Sequence, residues 1–265
     1  MKTYFDIAYG ALSEAQKLDL YLPDEGNSHP LIVFIHGGDW CEGDKRDGQE
    51  KPWIALTAEG YAAASINYRL SDEAKYPAGI NDCRNAVAFL KKRAEEYGFD
   101  KEKVCVCGGS SGGHYALMTG MAKGRNFPEC DCSVSCMIGW YPVCDLGGVL
   151  RESLDSDRGS GGALFAIDGI QRLMGKKITD PDNFLLTIAS PSFFVSKDMP
   201  PVLLQHGTMD SLCPVSQTIA FYESCLSSGA EAKLDIVPGA KHMDRKFAEE
   251  ANMNKVKAFL SKYMK

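Results

Sequence analysis

Apolar positions along this chain alternate between two rhythms. Leu31–Ile35 (LIVFI) is a continuous, β-branched-rich run of the kind found in a central strand buried on both faces. Tyr61–Ile66 (YAAASI), directly after Gly60, predicts a second such strand. Ile80, Cys83, Val87, Leu90 and Ala94 then repeat at helical spacing, with Gly98 as the stop. A strand at Val104–Cys107, a helix at Gly112–Met121 and a strand at Val134–Tyr141 follow. The rhythm breaks over 144–199, which holds Gly147 and Gly148, a Ser/Asp/Gly run at 153–162 and only short amphipathic pieces. It resumes with a strand at Val202–Gln205, a helix at Val215–Leu226, a strand at Lys233–Val237 and a C-terminal helix carrying Phe247, Ala251, Val256, Phe259 and Leu260. This alternation predicts an α/β fold, a mostly parallel sheet with helices on both faces. The interruption reads as a small cap inserted into a single domain spanning residues 1–265.

Chemistry enters at Lys103–His114, KVCVCGGSSGGH: a short strand, a glycine-rich turn, then a helix. In that context G-x-S-x-G is a nucleophile elbow, a reversal so tight that its flanking residues must be small while the serine hydroxyl is held out. Two frames fit, one with Ser110 and one with Ser111 as nucleophile. Sterics favour Ser110, because the residue three further on also faces the crowded strand and is then Gly113 and not His114. A phosphate-binding loop would need G-K-[ST] or G-x-G-x-x-G, and neither is present here. Upstream, LIVFI runs straight into His36-Gly37-Gly38-Asp39-Trp40, where glycines let backbone N–H groups turn toward an oxyanion. Gly38, Asp39 and Ser111 are the candidate oxyanion donors.

An elbow serine needs a general base, and the base needs an orienting carboxylate. Among five histidines, His29 falls in a polar loop, His36 in the glycine turn, His114 on the helix after the elbow, and His206 at a strand end facing its neighbours. His242 remains, in the loop between the last strand and the last helix. Asp210 lies just past the penultimate strand. Chain order is then Ser110, Asp210, His242, all at carboxyl ends of predicted parallel strands.

With these residues in place, the chain resembles α/β-hydrolases of the esterase/lipase group, close to hormone-sensitive lipase and to feruloyl- and acetyl-esterase-like bacterial enzymes. His36–Trp40 resembles their H-G-G-x-W, and Asn67–Leu70 followed by Tyr76-Pro77-Ala78 resembles N-Y-R-L…P-A. Gly108–Gly113 resembles G-x-S-x-G-G, with Ser111 where Ala is frequent. His206–Asp210 with Pro214–Gln217 resembles H-G-x-x-D-x-x-V-P-x-x-Q, with Cys213 in place of Val. Asp39 departs from the third glycine of the HGGG form of the turn, keeping a backbone donor but adding a carboxylate. The resemblance implies a serine carboxylester hydrolase working through an acyl-enzyme. Hydrolysis of an amide or formamide, as in kynurenine formamidase, uses the same groups and is the alternative. A non-catalytic receptor on the same fold tends to lose a triad member, and all three candidates are present.

Composition narrows the rest. Of 265 residues 29 are basic and 35 acidic, a net charge of −6 that disfavours nucleic acid and anionic membranes as partners. No run approaches the roughly 18 apolar residues of a membrane span, and the first residues carry Lys2 and Asp6 where a signal peptide would be apolar. Ten cysteines without a secretion signal read as reduced thiols in a cytoplasmic protein. Cys130-x-Cys132-x3-Cys136 lacks a fourth ligand at zinc-like spacing, so no metal and no cofactor are expected. Cys105 and Cys107 read as core packing, and Cys213 lies near the site without a role. The expected partner is a small-molecule ester, with a homodimer left open. Trp40 is expected to pack beside the oxyanion turn. Phe184, Phe193 and Phe194 are expected either in a substrate pocket or in the core, Lys91–Glu96 on a solvated helix face, and Asp82 and Asp145 as polar residues without assigned function.

Overall fold

In the computed structural model, which describes residues 1–155 and 161–265, eight strands form one sheet. They are Lys2–Ala8 (β1), Lys17–Leu22 (β2), His29–Ile35 (β3), Ala62–Ile66 (β4), Phe99–Gly109 (β5), Cys136–Trp140 (β6), Val202–Gly207 (β7) and Ala232–Val237 (β8), in spatial order β1-β2-β4-β3-β5-β6-β7-β8. β2 pairs antiparallel with β1 and with β4; every later pairing is parallel. The described helices are Lys51–Ile54 (α1), Ala78–Lys92 (α2), Ala94–Tyr97 (α3), Ser111–Met121 (α4), Leu146–Asp155 (α5), Gly161–Met174 (α6), Phe184–Ile188 (α7), Val215–Ser228 (α8) and Glu250–Met264 (α9). The Ser/Asp/Gly run at 153–162 falls largely outside the described residues.

The pleat divides LIVFI between two cores, as a period of two requires. Leu31, Val33 and Ile35 join Val87 and Leu90 of α2 and Ala116 and Leu117 of α4, whereas Ile32 and Phe34 join Trp53 of α1 and Val256 and Leu260 of α9. Cys105 and Cys107 are fully buried in the α9-side core, together with Cys136. The predicted strands and long helices all appear, but β1 and β2 were not foreseen. β1 lies at the sheet edge with most side chains exposed, and β2 carries a fully buried Asp19, so neither shows a clean apolar alternation. His29 opens β3 instead of lying in a loop, its Nδ1 2.9 Å from the Gly60 carbonyl.

Buried charge supports the loops that reach the candidate site. Asp19 faces Lys45 at 3.2 Å and the Arg46 guanidinium, fixing the long loop after β3 to β2. Asp82, fully buried on α2, accepts from Nε and Nη2 of Arg69 at 2.8 Å each, from the Arg69 backbone N–H at 3.0 Å and from Gln16 at 2.7 Å. The Asn67–Leu70 segment is thus clamped by a carboxylate that had no assigned function. Lys91 corrects the expected solvated face at Lys91–Glu96. It is buried, and its ammonium reaches across to Asp131 at 2.8 Å and the Ser133 carbonyl at 3.2 Å. Lys92, Arg93, Glu95 and Glu96 are exposed as expected.

Breaking a buried ion pair from one side strands its partner in a low dielectric, at a cost of about 3–5 kcal/mol. Asp82→Ala should lower unfolding stability by an amount of that order in urea titrations, far more than Glu96→Ala, whose pair with Arg93 is exposed on both sides.

Candidate active site

The carboxyl ends of β3, β5, β7 and β8 converge on one spot. β5 ends at Gly109, and Ser110 follows with φ 56° and ψ −126°, a strained left-handed-side conformation, before α4 begins at Ser111. A Cβ at Gly112 would sit 2.2 Å from the Ile35 carbonyl oxygen and 2.5 Å from that of His36, so only glycine lets the elbow approach the end of β3 this closely. Ser111 is buried in the first turn of α4. The strained residue at the elbow is Ser110.

His242 Nε2 lies 2.9 Å from Ser110 Oγ, and its Nδ1 lies 2.7 Å from Asp210 Oδ2. The carboxylate can only accept, so Nδ1 carries the proton and Nε2 is left to accept from the serine hydroxyl. Asp210 Oδ1 receives the backbone N–H groups of Leu212 at 3.0 Å and Cys213 at 2.9 Å. Burial alone would raise the Asp210 carboxyl, but hydrogen bonds from His206 and His242 overcome it and hold the group well below the usual carboxylate range. Tyr141, at the end of β6, packs its ring against the His242 imidazole with centroids 4.7 Å apart.

Two histidines set aside in the sequence prove to be supports. His206 Nε2 sits 3.1 Å from Asp210 Oδ2 and 2.9 Å from the Cys213 carbonyl, while its Nδ1 faces Thr218 Oγ1 at 2.7 Å. With only acceptors before it, Nε2 carries the proton and steadies the same carboxylate that orients His242. The spacing His206-x3-Asp210 at a strand end was the available signal. His114 is fully buried; its Nδ1 accepts from Trp40 Nε1 at 3.0 Å and its Nε2 donates to the Ala189 carbonyl at 2.7 Å. One ring thereby joins the elbow helix, the glycine turn and the segment between β6 and β7.

Gly38 takes φ 117° and Asp39 and Trp40 also have positive φ, so the turn after β3 is wound left-handed. Among the described residues no hydrogen bond engages the backbone N–H groups of Gly38, Asp39 or Ser111. Beside Ser110 lies a cavity of about 40 Å³ lined by Asp39, Trp40, Val143, Val149, Ile170, Leu212, Cys213 and His242. Trp40 is buried and also supplies part of this wall, and Cys213 has a place in it. The phenylalanine expectation is corrected for Phe184 and Phe193 and met in its core alternative by Phe194. Phe184 and Phe193 are exposed and Phe194 packs on Phe127, so none lines the cavity. Val149 of α5 and Ile170 of α6 do so instead, because the apolar stripes of those helices face each other and join the same buried cluster.

The BD-FAE family model matches residues 18–225. The chain belongs to the BD-FAE family. Probable carboxylic ester hydrolase LipM of Mycobacterium tuberculosis is 30% identical over 82% of this chain, and esterase LipC of the same organism 28% over 80%. The chain spans about half the length of these relatives, 50% and 52%. Among solved structures, a truncated carbohydrate esterase from gut microbiota superposes with a TM-score of 0.84 at 24% identity, covering 100% of this chain and 96% of that one. Native esterase Est2 of Thermogutta terrifontis gives 0.78 at 23% identity, covering 97% and 91%. The fold is that of the α/β-hydrolases. No described helix is long and apolar enough to cross a membrane.

Burial holds the His114 imidazole down to about 4 against an ordinary 6.5. The unfolded chain therefore takes up this proton first. The stability due to the neutral ring is complete above about pH 6.5 and is lost as pH falls toward 4, on the order of 3 kcal/mol. His114→Gln should flatten the fall of Tm between those pH values; an unchanged slope would locate the acid sensitivity elsewhere.

Proposed function

We propose that this protein is a serine carboxylester hydrolase with Ser110 as nucleophile, His242 as general base and acid, and Asp210 as the orienting carboxylate. The observation that carries the reading is the hydrogen-bonded chain from Ser110 Oγ through His242 to Asp210, at a strained elbow. Ser110 attacks the ester carbonyl as His242 Nε2 takes its proton. The tetrahedral oxyanion is held by backbone N–H groups of Gly38, Asp39 and Ser111, all free of other described partners and, for Ser111, at the positive end of α4. The imidazolium, stabilised by Asp210, then protonates the departing alcohol, and water hydrolyses the acyl-enzyme by the same steps in reverse roles. The names of the curated relatives support an ester over an amide substrate.

In this reading the segment 144–199 is a cap that shapes the acyl site. Val149 and Ile170 close a cavity far smaller than the ~150 Å³ that accepts a benzene ring. That size suits an acyl arm of two or three heavy atoms beyond the carbonyl. The open groove of about 330 Å³ that reaches Gly109, lined by Asp47, Gln49 and Arg245 together with the rings of Trp140, Tyr141 and Phe247, is left for the alcohol.

A fluorophosphonate probe should label the wild-type protein and Ser111→Ala but not Ser110→Ala, and Ser110→Ala should lose roughly 10⁶-fold in kcat. Labelling that follows Ser111 would move the nucleophile by one residue. Ile170→Ala should raise the hexanoate-to-acetate ratio of kcat/KM at least severalfold on aryl esters. A flat chain-length profile would remove the cap from the acyl site.

A further inference from the structure

The cavity beside Ser110 contains one group that its size and hydrolytic chemistry do not require. Asp39 needs only its backbone N–H to serve the oxyanion, yet its side chain turns into the cavity wall. Room for it is made by the opposing helix. A Cβ at Gly169 of α6 would lie 2.0 Å from Asp39 Oδ2 and 2.4 Å from both Cγ and Oδ1, so the carboxyl occupies a notch that exists only because residue 169 is glycine. Among the described residues nothing donates a hydrogen bond to this carboxyl, although it is half-buried. The nearest cation, Arg172, is committed to Asp168 at 2.6 Å and Asp72 at 3.6 Å. Of the other walls, Trp40 Nε1 is bound to His114, the Ser110 hydroxyl to His242, His242 Nδ1 to Asp210 and the Cys213 thiol to the Pro142 carbonyl, while Val143, Val149, Ile170 and Leu212 carry no side-chain donor.

A carboxylate accepts hydrogen bonds and cannot give them, and a desolvated acceptor without a donor is costly. The missing donor has to come from what fills the cavity. We infer that Asp39 makes this cavity a recognition site for acyl groups ending in a hydrogen-bond donor, an ammonium above all and a hydroxyl next. The inference rests on the hydrolase reading above and adds to it the chemical class of the acyl arm. Charge favours the cation: among the described residues Glu42 on the same loop and Asp168 on α6 add negative potential, against Arg172. Burial first, then Asp168 and Glu42, push the Asp39 carboxyl up to about 7. The groups facing it are Cys41 and Glu42 from its own loop, Asp168 and Arg172 from α6, and His242 across the cavity. An ammonium arm should therefore gain as pH rises through 7 and Asp39 ionises. A hydroxyl arm, which can bond to either form, should gain little.

The test uses three phenyl esters of matched length: butyrate, 3-hydroxypropionate and 3-aminopropionate. For each enzyme form, kcat/KM for the two polar arms is divided by that for butyrate, which cancels any pH dependence or loss of rate common to all three esters. Comparing these ratios between forms cancels the intrinsic reactivity of each ester. Asp39→Asn should lower the ammonium ratio roughly ten- to hundredfold, as loss of a charged hydrogen bond does, and abolish its rise through pH 7. Gly169→Ala, which keeps the carboxyl but fills its notch, should lower both polar ratios. Fluorophosphonate labelling of Ser110 is run alongside. Ratios unchanged within twofold in both labelled variants would overturn the subsite and leave the hydrolase reading standing. A donor preference seen only on the alcohol arm, with 2-hydroxyethyl against propyl butyrate, would overturn the acyl assignment. Failure of the wild-type protein to label would remove the hydrolase reading and the subsite together.

Discussion

The close approach of the Ile35 and His36 carbonyl oxygens to Gly112, where a Cβ would not fit, is the contact on which the site's geometry depends. β3 and β5 are hydrogen-bonded neighbours, so their carboxyl ends emerge side by side. Whatever follows them competes for the same space. Glycines at 108 and 112 let α4 turn back over the end of β3, and the strain of that reversal is concentrated in Ser110. The same proximity sets the left-handed turn of Gly38 and Asp39 against the elbow. The serine and the unpaired N–H groups are thus brought together by a backbone contact and not by side-chain reach.

A strained turn persists only where its surroundings over-determine it. Here the surroundings are buried polar groups with few alternatives. Asp82 clamps Asn67–Leu70, Asp19 ties down the loop after the glycine turn, and His114 bridges Trp40 to Ala189. His206 and two backbone N–H groups fix Asp210 before it meets His242. Each support is a hydrogen-bonded group shielded from water, where a misplaced partner is expensive. Positional order at the candidate site follows from that expense. The proposed acyl cavity is the exception, since Asp39 enters it without a described donor.

The central strands were legible because burial on both faces leaves an uninterrupted apolar run, and the elbow because only glycines tolerate so close a turn. Edge strand β1 and its neighbour β2 gave no such signal: β1 is mostly exposed, and β2 hides a carboxylate whose partners Lys45 and Arg46 lie far along the chain. Lys91 misled for the same reason, its acidic partner Asp131 lying on a distant loop. Phe184 and Phe193 face outward, and the smaller Val149 and Ile170 close the cavity, a choice made by helix packing.

Local sequence determined the residue types and their order: a serine between glycines after a strand, an aspartate and a histidine after two later strands, a glycine turn after the first. These are demands on backbone shape and side-chain chemistry that a short window carries. Only tertiary structure decided which groups meet. It brought the three candidate residues within hydrogen-bonding distance, put the strained φ at Ser110, the proposed nucleophile, and turned His206 and His114 from bystanders into supports. It also set Asp39 against Gly169, two residues more than a hundred positions apart whose fit depends on how α6 packs with α5 beside the glycine turn. Contacts across such distances are fixed by the packing of whole elements, which no local pattern encodes.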